Sequence, residues 1–297
     1  MKNKILLILL VLSFTLFALG SGSSKENKNN ETSNVSTKDE IKVDEEIKTI
    51  PTIEETLILD ESGIKVTAVE MVDDSIWGPG LKVLIENDSN KDVTVTASAM
   101  AINGYMFTDF LYETVTAGQK AYETIHSFSS DLKEAGIENI GEIAIWFRLV
   151  DASSYKEIYE ADDPVIIKTS LYDEIDRNID VEGVEVVNQD GVKVIVKYVD
   201  ENSFWGTSVL VYVENNSGHD ILISSEDVSV NGFMINALYS VDIKDGYKSF
   251  DTMTFFSSDL EENNISSIET IKMNFRCIDY NTFRTIFESD PINVDIN

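Results

Sequence analysis

The chain of 297 residues carries 53 Asp and Glu against 23 Lys and Arg, a formal net charge of −30 and a pI near 4.2. That balance argues against nucleic acid, whose phosphates need a basic face, and against anionic lipid or teichoic acid. It predicts a monomer whose copies repel one another. Cys277 stands alone, so no internal disulfide forms, and His126 and His219, the two histidines, leave too few ligands for a zinc site.

The first residues read as an address. Met1-Lys2-Asn3-Lys4 is basic, residues 5–19 are almost wholly apolar, and Gly20, Ser21 and Gly22 are small. This is the pattern of a secretory signal peptide over residues 1–22, and its apolar run is shorter than the roughly twenty residues of a membrane span. No transmembrane helix is therefore expected in the mature chain. Leu19-Gly20-Ser21-Gly22 resembles the lipobox of bacterial lipoproteins, with Gly22 where the lipidated cysteine belongs. Without a thiol no thioether anchor forms. The chain is then either a released relative of lipoproteins or one whose cysteine was replaced, and both place it outside the cytoplasmic membrane. Residues 23–55 are dominated by Ser, Asn, Thr, Lys and Glu. They bury too little apolar surface to offset their ordering entropy, which predicts a disordered polar tether.

From there the chain repeats itself. Residues 63–160 align without a gap on residues 191–288, Trp77 on Trp205, Asn103 on Asn231 and Asp131 on Asp259, always 128 apart, with about a third of positions identical. Ser75, Trp77 and Gly78 answer to Ser203, Trp205 and Gly206, and Glu86-Asn87-Asp88-Ser89 to Glu214-Asn215-Asn216-Ser217. Asn103-Gly104-Tyr105-Met106 answers to Asn231-Gly232-Phe233-Met234, and Phe128-Ser129-Ser130-Asp131-Leu132 recurs unchanged from Phe256. A fixed period of this kind marks a duplicated unit. The predicted organisation is a first repeat over 56–169, an acidic linker over 170–180 and a second repeat over 181–297.

Within each repeat, β-prone runs alternate with turn signals. Residues 56–59 and 64–71 flank Asp60-Glu61-Ser62-Gly63, and residues 184–187 and 192–199 flank Gln189-Asp190-Gly191. Strands follow at 81–86 and 209–214, ending in Asn-rich turns, and at 93–96. Asn103-Gly104 and Asn231-Gly232 are the dipeptide favoured in type I′ hairpins. Strands at 122–128 and 250–256 precede Ser-Asp-Leu, which suits a short helical turn with a capping Ser or Asp. An alternating strand at 143–149 and a last one opened by Pro164, with Pro291 in the copy, close the unit. Seven or eight short strands with almost no amphipathic helix predict an all-β chain of two tandem Ig-like antiparallel β-sandwich domains.

The motifs resemble those of domains of unknown function in Firmicute extracytoplasmic lipoproteins: a strand ending in Glu-Asn-Asn-Ser, then Val-Asn-Gly-Phe-Met, a Gly-Tyr-Lys turn and Phe-Phe-Ser-Ser-Asp-Leu. The resemblance covers roughly residues 57–297 and implies Ig-like units behind a lipobox and tether. It implies no activity.

Chemistry is sparse. The histidines occupy different places in their repeats, Thr254 standing at the His126 position and Lys91 at the His219 position, and no Gly-x-Ser-x-Gly elbow accompanies them. Asp131/Asp259 read as helix caps and Asp151/Asp279 as Asx-turn residues. Asp73-Asp74 and Asp162-Asp163 lack the Asp-x-Asp-x-Asp-Gly loop of a calcium site. Cys277, aligned with Leu149, reads as a buried small hydrophobe, and Arg148 and Arg276 as strand-end arginines that snorkel or pair with an acid. No cofactor or metal is implied.

Trp77-Gly78 and Trp205-Gly206, with Tyr105 and Phe233 on the Asn-Gly hairpins, are the candidate binding residues. An exposed ring beside glycine makes a stacking platform for a sugar or an apolar side chain, while a buried Trp plugs the end of a sandwich. The expected function is a non-enzymatic binding or accessory protein, secreted or held at the cell envelope of a Gram-positive bacterium, with a protein or glycan partner. The alternatives are a secreted carboxylate-based enzyme acting on glycan, or a structural or sensory spacer.

Overall fold

The computed structural model describes residues 34–37, 50–74, 78–107, 111–126, 132–133, 135–177, 181–203 and 206–296. The expected signal peptide, Trp77 and Trp205 lie outside them. After β1 (Asn34–Thr37), the first repeat runs β2 (Thr56–Glu61), β3 (Ile64–Asp74), β4 (Gly78–Asn87), β5 (Val93–Ile102), β6 (Tyr105–Phe107), β7 (Tyr112–Val115), β8 (Lys120–His126), β9 (Glu142–Asp151), β10 (Glu157–Glu160) and β11 (Val165–Lys168). The second runs β12 (Val184–Gln189), β13 (Val192–Ser203), β14 (Gly206–Asn215), β15 (Ile221–Val230), β16 (Phe233–Met234), β17 (Ala237–Leu238), β18 (Ser240–Ile243), β19 (Lys248–Phe256), α1 (Ser257–Glu262), β20 (Thr270–Asp279), β21 (Thr285–Glu288) and β22 (Ile292–Ile296). The all-β expectation holds, and the period survives folding: β2, β4, β5, β7, β9 and β10 each start and stop 128 residues before β12, β14, β15, β18, β20 and β21.

Each repeat is two antiparallel sheets. In the first, β2, β3, β4 and β8 lie in that order, and β5 sits between β7 and β9, with β10 and β11 along the far edge of β9. The second repeat sets β12, β13, β14 and β19 against β18, β15 and β20, with β21 and β22 outside. Alternation explains the pairing of faces. Leu81, Val83 and Ile85 of β4 and Ile143, Ile145, Phe147 and Leu149 of β9 point into one shared core. Each such side chain contributes about 1.5–3 kcal/mol when fully buried. In the copy Val209, Val211, Val213, Met273, Phe275 and Cys277 do the same. Cys277 is fully buried where Leu149 is in the first repeat, and burial pushes its thiol up to about 12.

The Asn-rich turns are more than turns. Asn87 and Asn215 are buried. The Asn215 amide donates to the His219 carbonyl at 2.8 Å and the Ile243 carbonyl at 2.9 Å, while its oxygen accepts from the Ser217 amide at 3.1 Å and hydroxyl at 2.7 Å. Asn87 repeats the set on Lys91, Val115 and Ser89. Asn103 and Gly104 both take positive φ, 52° and 86°, as the type I′ turn requires. The Asn103 side chain also reaches across to the Asn139 carbonyl at 2.7 Å and the Gly141 amide at 2.9 Å, fixing the entry to β9.

Two expectations need correction. Residues 34–37 fall in the segment expected to be disordered, yet β1 pairs in parallel with β22 and with β13, beyond the end of β12. Such pairing uses main-chain groups, to which side-chain composition is blind. In the second repeat, the cap of α1 is Phe256, with no side-chain hydrogen bond, and Asp259 lies inside the first turn. There its charge still favours the helix N-terminus. Asp131 lies outside the described residues.

Residues Ser33–Asn297 form one compact unit holding both repeats. The outward face of β5 and β9 in the first repeat carries Ala99, Ala101, Ala144 and Trp146, and these residues join the hydrophobic cluster of the second repeat together with Met106. Reciprocally, Ile195 and Tyr212 of the second repeat join the first cluster. Trp146 meets Tyr247 edge to face at 5.1 Å, and Tyr105 stacks on Phe250 at 5.5 Å. Strand β6 adds to the open edge of β19 in parallel, Tyr105 opposite Lys248 and Met106 opposite Ser249, and the Lys248 amide donates to the Gly104 carbonyl at 3.0 Å.

Candidate functional site

The hairpin after β5, and its copy after β15, is where the two repeats part company. Both begin with the same Asn-Gly turn, φ near 52° and 86° in one and 51° and 86° in the other. In the first repeat, Tyr105 is 1% exposed and offers no face to solvent, because its ring lies on Phe250. Burial is the main cause that pushes its hydroxyl up to about 12, with Glu214 adding to it. In the second repeat, Phe233 is 49% exposed and Met234 67%. β16 pairs with β15, and among the described residues no other strand pairs with it. A few residues on, Leu238 of β17 is 63% exposed although β17 pairs with β19.

The surrounding sheet face changes in step. Asp227, Ser229, Lys272 and Asn274 stand in the second repeat where Ala99, Ala101, Ala144 and Trp146 stand in the first. Small and aromatic side chains cover the face that meets the next repeat; in the copy Asp227 and Lys272 are exposed and Asn274 half-buried at the equivalent places, while Ser229 is buried. Phe233 and Met234 are thus exposed on the hairpin whose copy docks in the first repeat.

Of the candidate residues, the structure brings Tyr105 to the seam between repeats and Phe233 to the surface, and it leaves the two apart. Gly206 is held by geometry: a side chain there would collide with the Phe255 carbonyl, so glycine lets β14 approach β19. Trp146 is a seam residue outside the candidate set. Its signal was available, since Ile143, Ile145, Phe147 and Leu149 take the inward positions of β9 and leave a Trp pointing outward, while the copy has Asn274.

Asp151, Asp279, His219 and the two strand-end arginines have structural partners. The Asp151 carboxylate accepts from the Ser153 hydroxyl at 2.7 Å and the Ser154 amide at 2.9 Å and pairs with Lys91 at 3.0 Å. Hydrogen bonds from Ser153 and Ser154, then Lys91, hold it well below its ordinary range. Asp279 accepts from the Asn281 and Thr282 amides at 3.0 and 2.7 Å, and those bonds, that from Thr282 first, lower its pKa. His219 takes the place of Lys91 beside it, with Nδ1 3.0 Å from Oδ2. Arg148 pairs with Glu157 at 3.1 Å, and Arg276 lies 3.6 Å from Glu226 and 3.7 Å from Glu288. Among the described residues no three His, Cys, Asp or Glu side chains gather as metal ligands.

A small open crevice lies between the repeats, lined by Ser98 and Glu160 from one and by Asp220, Asp242, Lys244 and Tyr280 among residues of the other. Its lysine is engaged with Asp220 at 2.8 Å. No helix among the described residues is long and apolar enough to cross a membrane.

No family model matches the chain, and no curated protein matches it. Among solved structures, it is similar to the Salmonella enterica SafA pilin in complex with the SafB chaperone, at 14% identity over 80% of this chain and 98% of that one, with a TM-score of 0.23. It is also similar to a Bacteroides uniformis β-glucuronidase, at 10% identity over 78% of this chain and 26% of that one, with a TM-score of 0.23. A protein of unknown function from Porphyromonas gingivalis W83 gives 9% identity over 82% and 94%, with a TM-score of 0.20.

Proposed function

We propose that this is a non-enzymatic binding or accessory protein that works outside the cytoplasmic membrane of a Gram-positive bacterium, secreted or held at the cell envelope. In this reading it is built of two Ig-like β-sandwich repeats of the kind found in Firmicute lipoproteins. Two antiparallel sheets facing each other over one core in each repeat support the Ig-like description. The observation that carries the binding role is the hairpin of the second repeat. It exposes Phe233 and Met234 where its copy buries Tyr105 and Met106 against a neighbouring sheet. Exposed apolar side chains grouped on a protruding element mark an interaction surface, and their chemistry favours a protein partner over a glycan.

Capture from cell-envelope extracts on the immobilised full chain tests it. Met234→Asp and Leu238→Asp are expected to lose a partner that the unmodified chain retains, with unchanged melting. A partner retained equally by both variants, or no partner at all, removes the hairpin from this role.

A further inference from the structure

We propose that the occupant of this hairpin is a second copy of the chain: Phe233 and Met234 of one molecule dock on the β8 edge of another, so that molecules add head to tail. The inference rests on the hairpin being a binding element and names what it binds.

The molecule contains its own template for the contact. Within one chain the Asn-Gly-Tyr-Met hairpin lies along β19 at Lys248, Ser249 and Phe250, held by parallel main-chain pairing at two positions and by one ring stack. Both halves recur unengaged at the two ends. The hairpin half is Asn231-Gly232-Phe233-Met234, with the same turn dihedrals. The receiving half is Lys120, Ala121 and Tyr122 of β8, at the positions of Lys248, Ser249 and Phe250. β8 pairs with β4 on one side, and among the described residues no strand pairs with its other edge. Tyr122 is 63% exposed on that sheet. By the same register, the Lys120 amide faces outward toward the place the Gly232 carbonyl would take, as Lys248 faces Gly104.

The flanking faces set how tight the contact is. Asp227, Lys272 and Asn274 replace Ala99, Ala144 and Trp146 on the hairpin side, and Thr67 and Leu84 replace Ile195 and Tyr212 on the receiving side. The contact between copies therefore keeps the strand addition and the ring pair but loses most of the apolar seam. It is weaker than the contact inside the chain, and a net charge of −30 on each molecule opposes it further. Screening by salt relieves that repulsion, so association rises with ionic strength. The contact joins unlike surfaces and does not close on itself, so it generates open chains of molecules rather than a fixed dimer.

Sedimentation equilibrium of the full chain, up to about 1 mM protein, where weak association is populated, tests this in low salt and at about 0.5 M salt. The weight-average mass is expected to stay near 33.2 kDa in low salt and to climb past that of a dimer in high salt. Met234→Asp, with a spoiled hairpin, and Tyr122→Asp, with a spoiled edge, should each remain monomeric alone. Mixed, they should form a one-to-one dimer and nothing larger, because each supplies the end the other lacks. If Tyr122→Asp lowers the melting midpoint, Tyr122→Ser replaces it in the same mixture. A monomer under all conditions, self-association of either variant as strong as that of the unmodified chain, or no dimer in the mixture overturns the proposal. If the chain is monomeric yet Met234→Asp loses an envelope partner, the binding role stands and self-docking falls. If neither changes, both fall.

Discussion

Asn215 and Asn87 show how much one buried amide fixes. Each ties its own turn to the end of a neighbouring strand with two donated and two accepted hydrogen bonds, so removing the side chain orphans the buried carbonyl of Val115 or Ile243. Asn215→Ala is expected to cost roughly 2–3 kcal/mol, read as a lower midpoint of chemical denaturation. Asn216→Ala, on the exposed neighbour, should be near neutral. The recurrence of Glu-Asn-x-Ser was visible in the sequence, but its meaning was not, because a turn Asn and a buried clamp share the same local pattern. Asp151 and Asp279 were legible as Asx-turn residues, whereas their partners Lys91 and His219 come from a distant turn. Both carboxylates are held below their ordinary value of 3.8. Their contribution to stability is therefore complete above that value and is lost as pH falls through the lowered range. Acid unfolding followed by circular dichroism should become less steep in Asp151→Asn, which carries no such titration.

Among elements, the strands were the legible part. Alternation along β9 and the turn dipeptides around β5 placed most edges, and the gapless period let each repeat check the other. β1 was not legible, since a four-residue, mostly polar segment can pair through main chain alone, and neither was the missing cap of α1, where Phe256 precedes the helix instead of a Ser or Asp. The seam between repeats was half legible: the Trp146 and Asn274 mismatch sits in the aligned sequence, but only the packing says what covers the Trp. Trp146→Ala should cost about 3–5 kcal/mol. It should also resolve a single calorimetric transition into two as the repeats uncouple. The mirror substitution Asn274→Ala, on the polar face, should leave the trace unchanged.

For the molecule as a whole, charge is the dominant long-range term. At −30, self-repulsion opposes the compact state. Raising salt from about 0.01 to about 0.5 M shortens the screening length from roughly 30 Å to a few ångströms. The thermal midpoint should rise accordingly, in contrast to a protein held by surface ion pairs, which salt weakens. Trp77 and Trp205 lie outside the described residues, so the candidate site was legible through Phe233 alone. Its significance came from the contrast with Tyr105, which only the docked arrangement reveals.

The duplication also makes this chain its own reference for edge protection. Lys248 and Lys120 are the same residue at the same place in equivalent strands, one amide closed by the Gly104 carbonyl and the other facing an open edge. Hydrogen exchange of the two amides in one sample therefore compares a capped and an uncapped edge, with residue type and register shared. Lys120 should exchange faster than Lys248 in the isolated molecule, and the gap should narrow under any condition that brings a strand against β8.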